Sequence, residues 1–99
     1  MIDKQTGLMY VVKRPSPERR YYGFDFSRLL TGIKSIHSIT ITPSININDL
    51  IYTDAIISGT VVDIYLEKGI LGTVYSIYIV VEDYGRNVIE ERALIKLER

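Results

Sequence analysis

The chain has 99 residues, with 12 lysines and arginines against 12 aspartates and glutamates, 46% hydrophobic residues and no cysteine. That length supplies one packed core and leaves no room for a second, and the apolar content is sufficient to offset the entropy of ordering it. The absence of thiols excludes a disulfide framework, a thiolate metal site and a cysteine nucleophile. Packing and strand ladders must hold the fold, and a reducing cytoplasm fits as the place of synthesis.

Residues 1–20 are the basic part of the chain, with Lys4, Lys13, Arg14, Arg19 and Arg20 against Asp3 and Glu18. The apolar run Leu8 to Val12 is too short for a signal-peptide core or a membrane span, and no later run approaches the roughly 18 residues a span needs. Each proline in Arg14-Pro15-Ser16-Pro17 fixes its own φ and pushes the residue before it towards extended conformations. Residues 1–19 therefore read as an extended basic N-terminal arm outside the folded domain of residues 20–99. A binding arm and a disordered leader are equally compatible with this composition.

Isoleucine, valine, threonine and tyrosine dominate the rest, as suits a pleated, half-buried surface. Arg20 to Phe26 is the first expected strand, with Tyr22, Phe24 and Phe26 on one face. Asp25 or Ser27 can cap a single helical turn that Gly32 stops. Ser35 to Thr42 is the second strand, ended by Pro43. Residues 44–59 mix isoleucines with Asn46, Asn48, Asp49 and Asp54, leaving open one or two short strands near 50–52 and 55–57 or one long loop.

Thr60 to Leu66 alternates clearly, with Val62, Ile64 and Leu66 on one side. From Thr73 to Val81 the alternation places Tyr75, Ile77, Ile79 and Val81 together. Asp83-Tyr84-Gly85-Arg86 is a turn in which Gly85 is expected to take positive φ. Residues 87–97 return with Ile89, Ala93, Ile95 and Leu97 inside, completing a β-hairpin. Leu71 to Ile77 has the pattern of a structural corner in which the Tyr75 hydroxyl bonds back to the backbone; the alternative is an ordinary core tyrosine. The expected fold is all-β, an Ig-like or fibronectin-III-like antiparallel β-sandwich, with a small OB-like barrel as the alternative.

Acid-base or nucleophilic catalysis draws on histidine, cysteine or paired carboxylates. The single histidine, His37, sits on an expected strand and reads as a surface strand residue. One imidazole without thiolates does not make a metal site, and Asn46, Asn48, Asp49 and Asp54 lack a calcium-loop glycine. No glycine-rich phosphate loop is present. The expectation is a non-enzyme without cofactor or metal. Basic residues followed by aromatics from Lys13 to Phe26 can mark single-stranded nucleic-acid binding, but an acidic remainder leaves no broad positive face, so a protein partner is favoured.

Two blocks carry a resemblance over residues 17–99. One is Tyr22-Gly23-Phe24-Asp25-Phe26-Ser27-Arg28-Leu29-Leu30. The other comprises Gly69, Gly72, Tyr75, Gly85, Arg86 and Glu90, a glycine-tyrosine corner followed by a strand and a Gly-Arg turn. In these the chain resembles a group of short tailed-phage virion structural proteins, fiber-like or Ig-like. The resemblance implies a virion component at the head, its portal or connector, or the tail, and no catalytic residues.

The function expected is therefore a structural or capsid-decoration subunit of a phage particle, localised in the virion and oligomeric in the assembly, with no membrane and no nucleic-acid partner. Arg14, Arg19 and Arg20 would meet acidic groups on a partner, with Lys13 beside them. Pro15 and Pro17 would preset the backbone, and Tyr21 would anchor the contact. A receptor- or glycan-binding module using Tyr10, Tyr52, Tyr65 or Tyr84 is the alternative, and a single-stranded nucleic-acid-binding barrel follows it. Few lysines or prolines guard the strands after residue 44, so at least one edge or face is expected to be covered by another chain.

Overall fold

The computed structural model describes residues 9–99 as seven strands: β1 (Met9–Lys13), β2 (Arg20–Asp25), β3 (Ile33–Thr42), β4 (Ile51–Ser58), β5 (Val61–Glu67), β6 (Val74–Asp83) and β7 (Val88–Leu97). They form a four-stranded sheet, β1-β7-β6-β3, and a three-stranded sheet, β2-β5-β4. All neighbours are antiparallel except β1, which runs parallel to β7. Neither sheet closes on itself, so the fold is a sandwich and not the barrel held as the alternative. The order is that of a constant-type immunoglobulin sandwich whose first strand has moved from the second strand to the last.

Period-2 alternation sets the core. Val62, Ile64 and Leu66 of β5, Tyr75, Ile77, Ile79 and Val81 of β6, and Ala93, Ile95 and Leu97 of β7 are all buried, as are Tyr22 and Phe24 of β2 and Phe26 beyond it. These residues form one hydrophobic cluster. Each large side chain buried there contributes about 1.5–3 kcal/mol, whereas an exposed ion pair such as Arg19–Glu67 contributes about 0–1 kcal/mol. The interior, not the surface charge, holds the sandwich.

The structure differs from the sequence reading at four places. Residues 9–13 are not outside the domain: β1 pairs with β7 from Met9↔Ala93 to Lys13↔Leu97, and Val11 packs against the core. Residues 1–8 lie outside the described residues, as do the side chains of Met9 and Tyr10. The segment after β1 is not extended either. It turns at Ser16 and Pro17, where Glu18 N–H donates to the Pro15 carbonyl (3.1 Å), and leads into β2 of the other sheet.

Residues 51–58 form one continuous strand, irregular between Tyr52 and Asp54, because Gly59 (φ 63) and Thr60 make a tight hairpin into β5. In the β6–β7 turn it is Arg86, not Gly85, that takes positive φ (68). Arg86 N–H donates to the Asp83 carbonyl (3.3 Å) and Asp83 N–H to the Asn87 carbonyl (3.0 Å), which puts the left-handed residue after the turn. The Asp83 carboxylate accepts from Gly85 N–H (2.8 Å) and Asn87 N–H (2.8 Å). Gly85 serves that close approach, since a Cβ there would lie 3.4 Å from Asp83 Oδ1 and 3.2 Å from Asn87 Nδ2.

The odd-numbered strands end, and the even-numbered strands begin, at the same end of the sandwich. The links 14–19, 43–50 and 68–73 therefore gather there with residues 98–99. Links 26–32, 59–60 and 84–87 occupy the opposite end. In the first of these, Asp25 rather than Ser27 supplies the cap, its Oδ1 accepting from Ser27 N–H (2.9 Å) and from the Thr60 hydroxyl (2.9 Å).

Candidate functional site at the loop end

Two buried polar side chains organise this end. Lys13 is 0% exposed, and its ammonium donates to the carbonyls of Arg14 (2.8 Å), Glu18 (2.7 Å) and Lys68 (2.8 Å). All three donors are used, which is what makes a buried ammonium tolerable. Burial lowers its pKa, and the charge of Glu18 works against that shift. Lys13 thus ties link 14–19 to link 68–73, and its own carbonyl accepts from Glu98 N–H (2.9 Å). Its expected role as a partner contact is corrected: the side chain is inside, because a lysine at the end of β1 meets a ring of carbonyls that the turns leave unpaired.

Asp49 is the second. Its Oδ2 accepts from the backbone N–H of Ile45 (2.9 Å) and Asn46 (2.7 Å), and its Oδ1 from the Tyr75 hydroxyl (2.7 Å). The Tyr75 bond first, then the two backbone bonds, hold this carboxyl below the ordinary range. The Tyr75 hydroxyl in turn accepts from Ile70 N–H (3.0 Å), and burial raises its pKa. Tyr75 thus bonds back to the link before its own strand and also reaches link 43–50. Asn48 carbonyl accepts from Gly69 N–H (3.0 Å), and Lys68 Nζ donates to the Ile47 carbonyl (3.3 Å). Links 14–19, 43–50 and 68–73 are therefore joined by hydrogen bonds into one surface.

On that surface Arg14, Pro17 and Arg19 are exposed and Pro15 is partly so. Arg14, Pro15, Ser16 and Arg99 line one shallow depression, and Pro17, Arg19, Glu67 and Lys68 help line another. Arg19 pairs with Glu67 (3.5 Å). Arg20 pairs with Glu18 (3.6 Å) and lies over the Tyr22 ring, 4.9 Å from its centroid. The Tyr22 hydroxyl bond is the largest of the effects that lower the Glu18 pKa. Tyr21 stands on the outer face of the three-stranded sheet, edge-on to Tyr65 (4.8 Å, 69°), and its hydroxyl donates to Asp54. Of the residues expected to bind a partner, Arg14, Pro15, Pro17, Arg19 and Arg20 share the loop end, Tyr21 adjoins it and Lys13 lies beneath it.

Sequence reasoning missed Ile45 and Ile47, which are 93% and 85% exposed at the tip of link 43–50. The signal was present in Ile45-Asn46-Ile47-Asn48, but its alternation imitates a strand. Asp49 is what turns it into a loop.

The remaining chemistry is sparse. His37 bonds with Glu82 (2.8 Å) between β3 and β6, on the surface. Among the described residues no group of three or more histidines and carboxylates is placed to hold a metal ion, and no helix is long and apolar enough to cross a membrane. Asp49, weighed as an oxygen ligand, spends both its oxygens on internal donors. Of the aromatics expected as a base-stacking run, Tyr22, Phe24 and Phe26 are core residues and Tyr21 alone is exposed.

No curated protein matches the chain. A family model described as podophage GP4 fiber-tail adaptor protein gp77 matches residues 13–96. That span runs from the last residue of β1 almost to the end of β7, covering the buried lysine, both sheets and every link between them. The sandwich is that of a tailed-phage virion structural protein. The chain belongs to the Gp77 family of podophage fiber-tail adaptor proteins.

Proposed function

We propose that this chain is a non-enzymatic adaptor in the virion tail, joining neighbouring structural proteins through the loop end of its sandwich. The observation that carries this reading is the family match, because it spans the whole hydrogen-bonded framework that displays Arg14, Pro17 and Arg19. An adaptor must hold a rigid surface against a neighbour. Side chains of Lys13, Asp49 and Tyr75 fix the loops from inside, so little backbone freedom remains to be lost on docking. Synthesis in the host cytoplasm precedes assembly. Copies meet along an open edge such as β4, whose Tyr52 and Ile56 are exposed.

A tagged full-length chain retrieved from cells making the particle tests the proposal, with co-purifying proteins identified by mass spectrometry. Tail or connector proteins are expected, and Arg14→Glu with Arg19→Glu is expected to lower their recovery roughly tenfold, as close interfacial charges do. Recovery of only nucleic acid or host surface components contradicts it.

A further inference from the structure

We infer that link 43–50 is an apolar plug: Ile45 and Ile47 insert into an apolar pocket, rimmed by acidic side chains, on a different structural protein of the particle. This rests on the adaptor reading and names the chemistry of its partner.

Single exposed apolar residues need no explanation, but these two are neighbours on one turn and are exposed over nearly their whole surface. The turn is held in that form. The Asp49 carboxylate takes the N–H groups of Ile45 and Asn46, Asn46 Oδ1 takes Asn48 N–H (2.9 Å), and the Asn46 carbonyl takes Asp49 N–H (3.0 Å). Lys68 and Gly69 bond to the carbonyls of Ile47 and Asn48. A loop free to fold its isoleucines back would do so; this one holds them out. Preorganisation of that kind removes the ordering cost an interface otherwise bears.

The rim follows from charge. Lys68 lies across the tip, and Lys13 joins it to Arg14 and the segment leading to Arg19. Of the carboxylates nearby, Asp49 is inside, Glu18 is taken by Tyr22 and Arg20 and Glu67 by Arg19, which leaves the exposed Glu98 against Arg14 and Lys68. A basic collar around an apolar tip complements an acidic border around an apolar pocket. A second copy meeting the first end to end presents another basic collar, which repels it; the occupant we assign is therefore a different protein.

The test uses phage producing either the full wild-type chain or Ile45→Ser/Ile47→Ser, with copies per purified particle measured by quantitative mass spectrometry. The double variant is expected to fall roughly tenfold or more in occupancy, and Lys68→Glu to fall similarly. Leu29→Ser/Val88→Ser, which alters exposed apolar residues at the opposite end, is expected to remain at wild-type occupancy. Thermal unfolding of the isolated variants is expected to match wild type. With benzoylphenylalanine replacing Ile47, irradiation is expected to link the chain to a different virion protein, at apolar residues bordered by Asp or Glu. Undiminished occupancy of the double variant, or a link to a second copy of this chain, overturns the plug while the adaptor reading stands. Absence of the wild-type chain from the particle overturns both.

Discussion

Removing the hydroxyl of Tyr75 would strip the interior of a donor to Asp49 Oδ1 and an acceptor for Ile70 N–H. Tyr75→Phe is therefore expected to lower the free energy of unfolding by about 1–3 kcal/mol, read from urea titrations followed by circular dichroism. Lys13→Met would leave three carbonyls without their ammonium, and a loss of about 2–4 kcal/mol is expected by the same measurement. Acid should act through the carboxylates. Asp49, Asp83 and Asp25 are held below their ordinary value of 3.8, first by Tyr75, Asn87 and the Ser27 backbone respectively. A carboxylate depressed in the folded state contributes stability that is fully present above its unfolded pKa and is lost as pH falls through the folded one. The urea midpoint should be flat above about pH 5 and fall steadily below about 3.8, with Asp49→Asn showing a shallower fall. An unchanged midpoint down to pH 2.5 would contradict the assignment.

At the scale of elements, β5, β6 and β7 were legible because each alternates without interruption between an apolar and a polar face, and the burial follows that alternation. β1 was not. Its apolar run is short, it is followed by Pro15, and its last inward-facing position is Lys13, a residue that pattern reading assigns to water. Only the carbonyls contributed by links 14–19 and 68–73 make a lysine acceptable there; the first two follow it closely, but neither their direction nor the Lys68 carbonyl, 55 residues on, is visible in the pattern. For the same reason the basic residues after β1 were legible as a surface, whereas the isoleucine tip was not: the turn at 45–49 depends on a carboxylate anchored to Tyr75, 26 residues on.

Because β1 supplies the edge ladder to β7, deletion of residues 1–13 is expected to destabilise the sandwich, measurable as a lower melting temperature. The first sequence reading, an arm outside the domain, would have had it unchanged. Gly69 offers a sharper test of the loop end. It has φ +112, and a Cβ there would lie 2.5 Å from Leu97 Cδ1. Gly69→Ala is expected to cost roughly 2–3 kcal/mol through backbone strain and overpacking.

For the whole molecule, the physical picture is a small sandwich with two dissimilar ends. One end is closed by links 26–32 and 59–60, joined through the Phe26 and Ile33 N–H groups to the Thr60 and Gly59 carbonyls and through the Thr60 hydroxyl to Asp25, and by link 84–87, held by Asp83. The other is cross-braced through Lys13, Asp49 and Tyr75 and presents a basic collar with two isoleucines at its tip. The adaptor role proposed above requires a surface that holds its shape when another protein meets it, and the end fixed from inside by Lys13, Asp49 and Tyr75 is the one proposed for it. The measurement that tests this most directly is a cryo-electron microscopy reconstruction of the virion tail at side-chain resolution. The account predicts that links 14–19, 43–50 and 68–73 face a neighbouring tail protein, with Ile45 and Ile47 buried against it. A sandwich in which that end faces solvent while the opposite end or a sheet face makes the contact would contradict it.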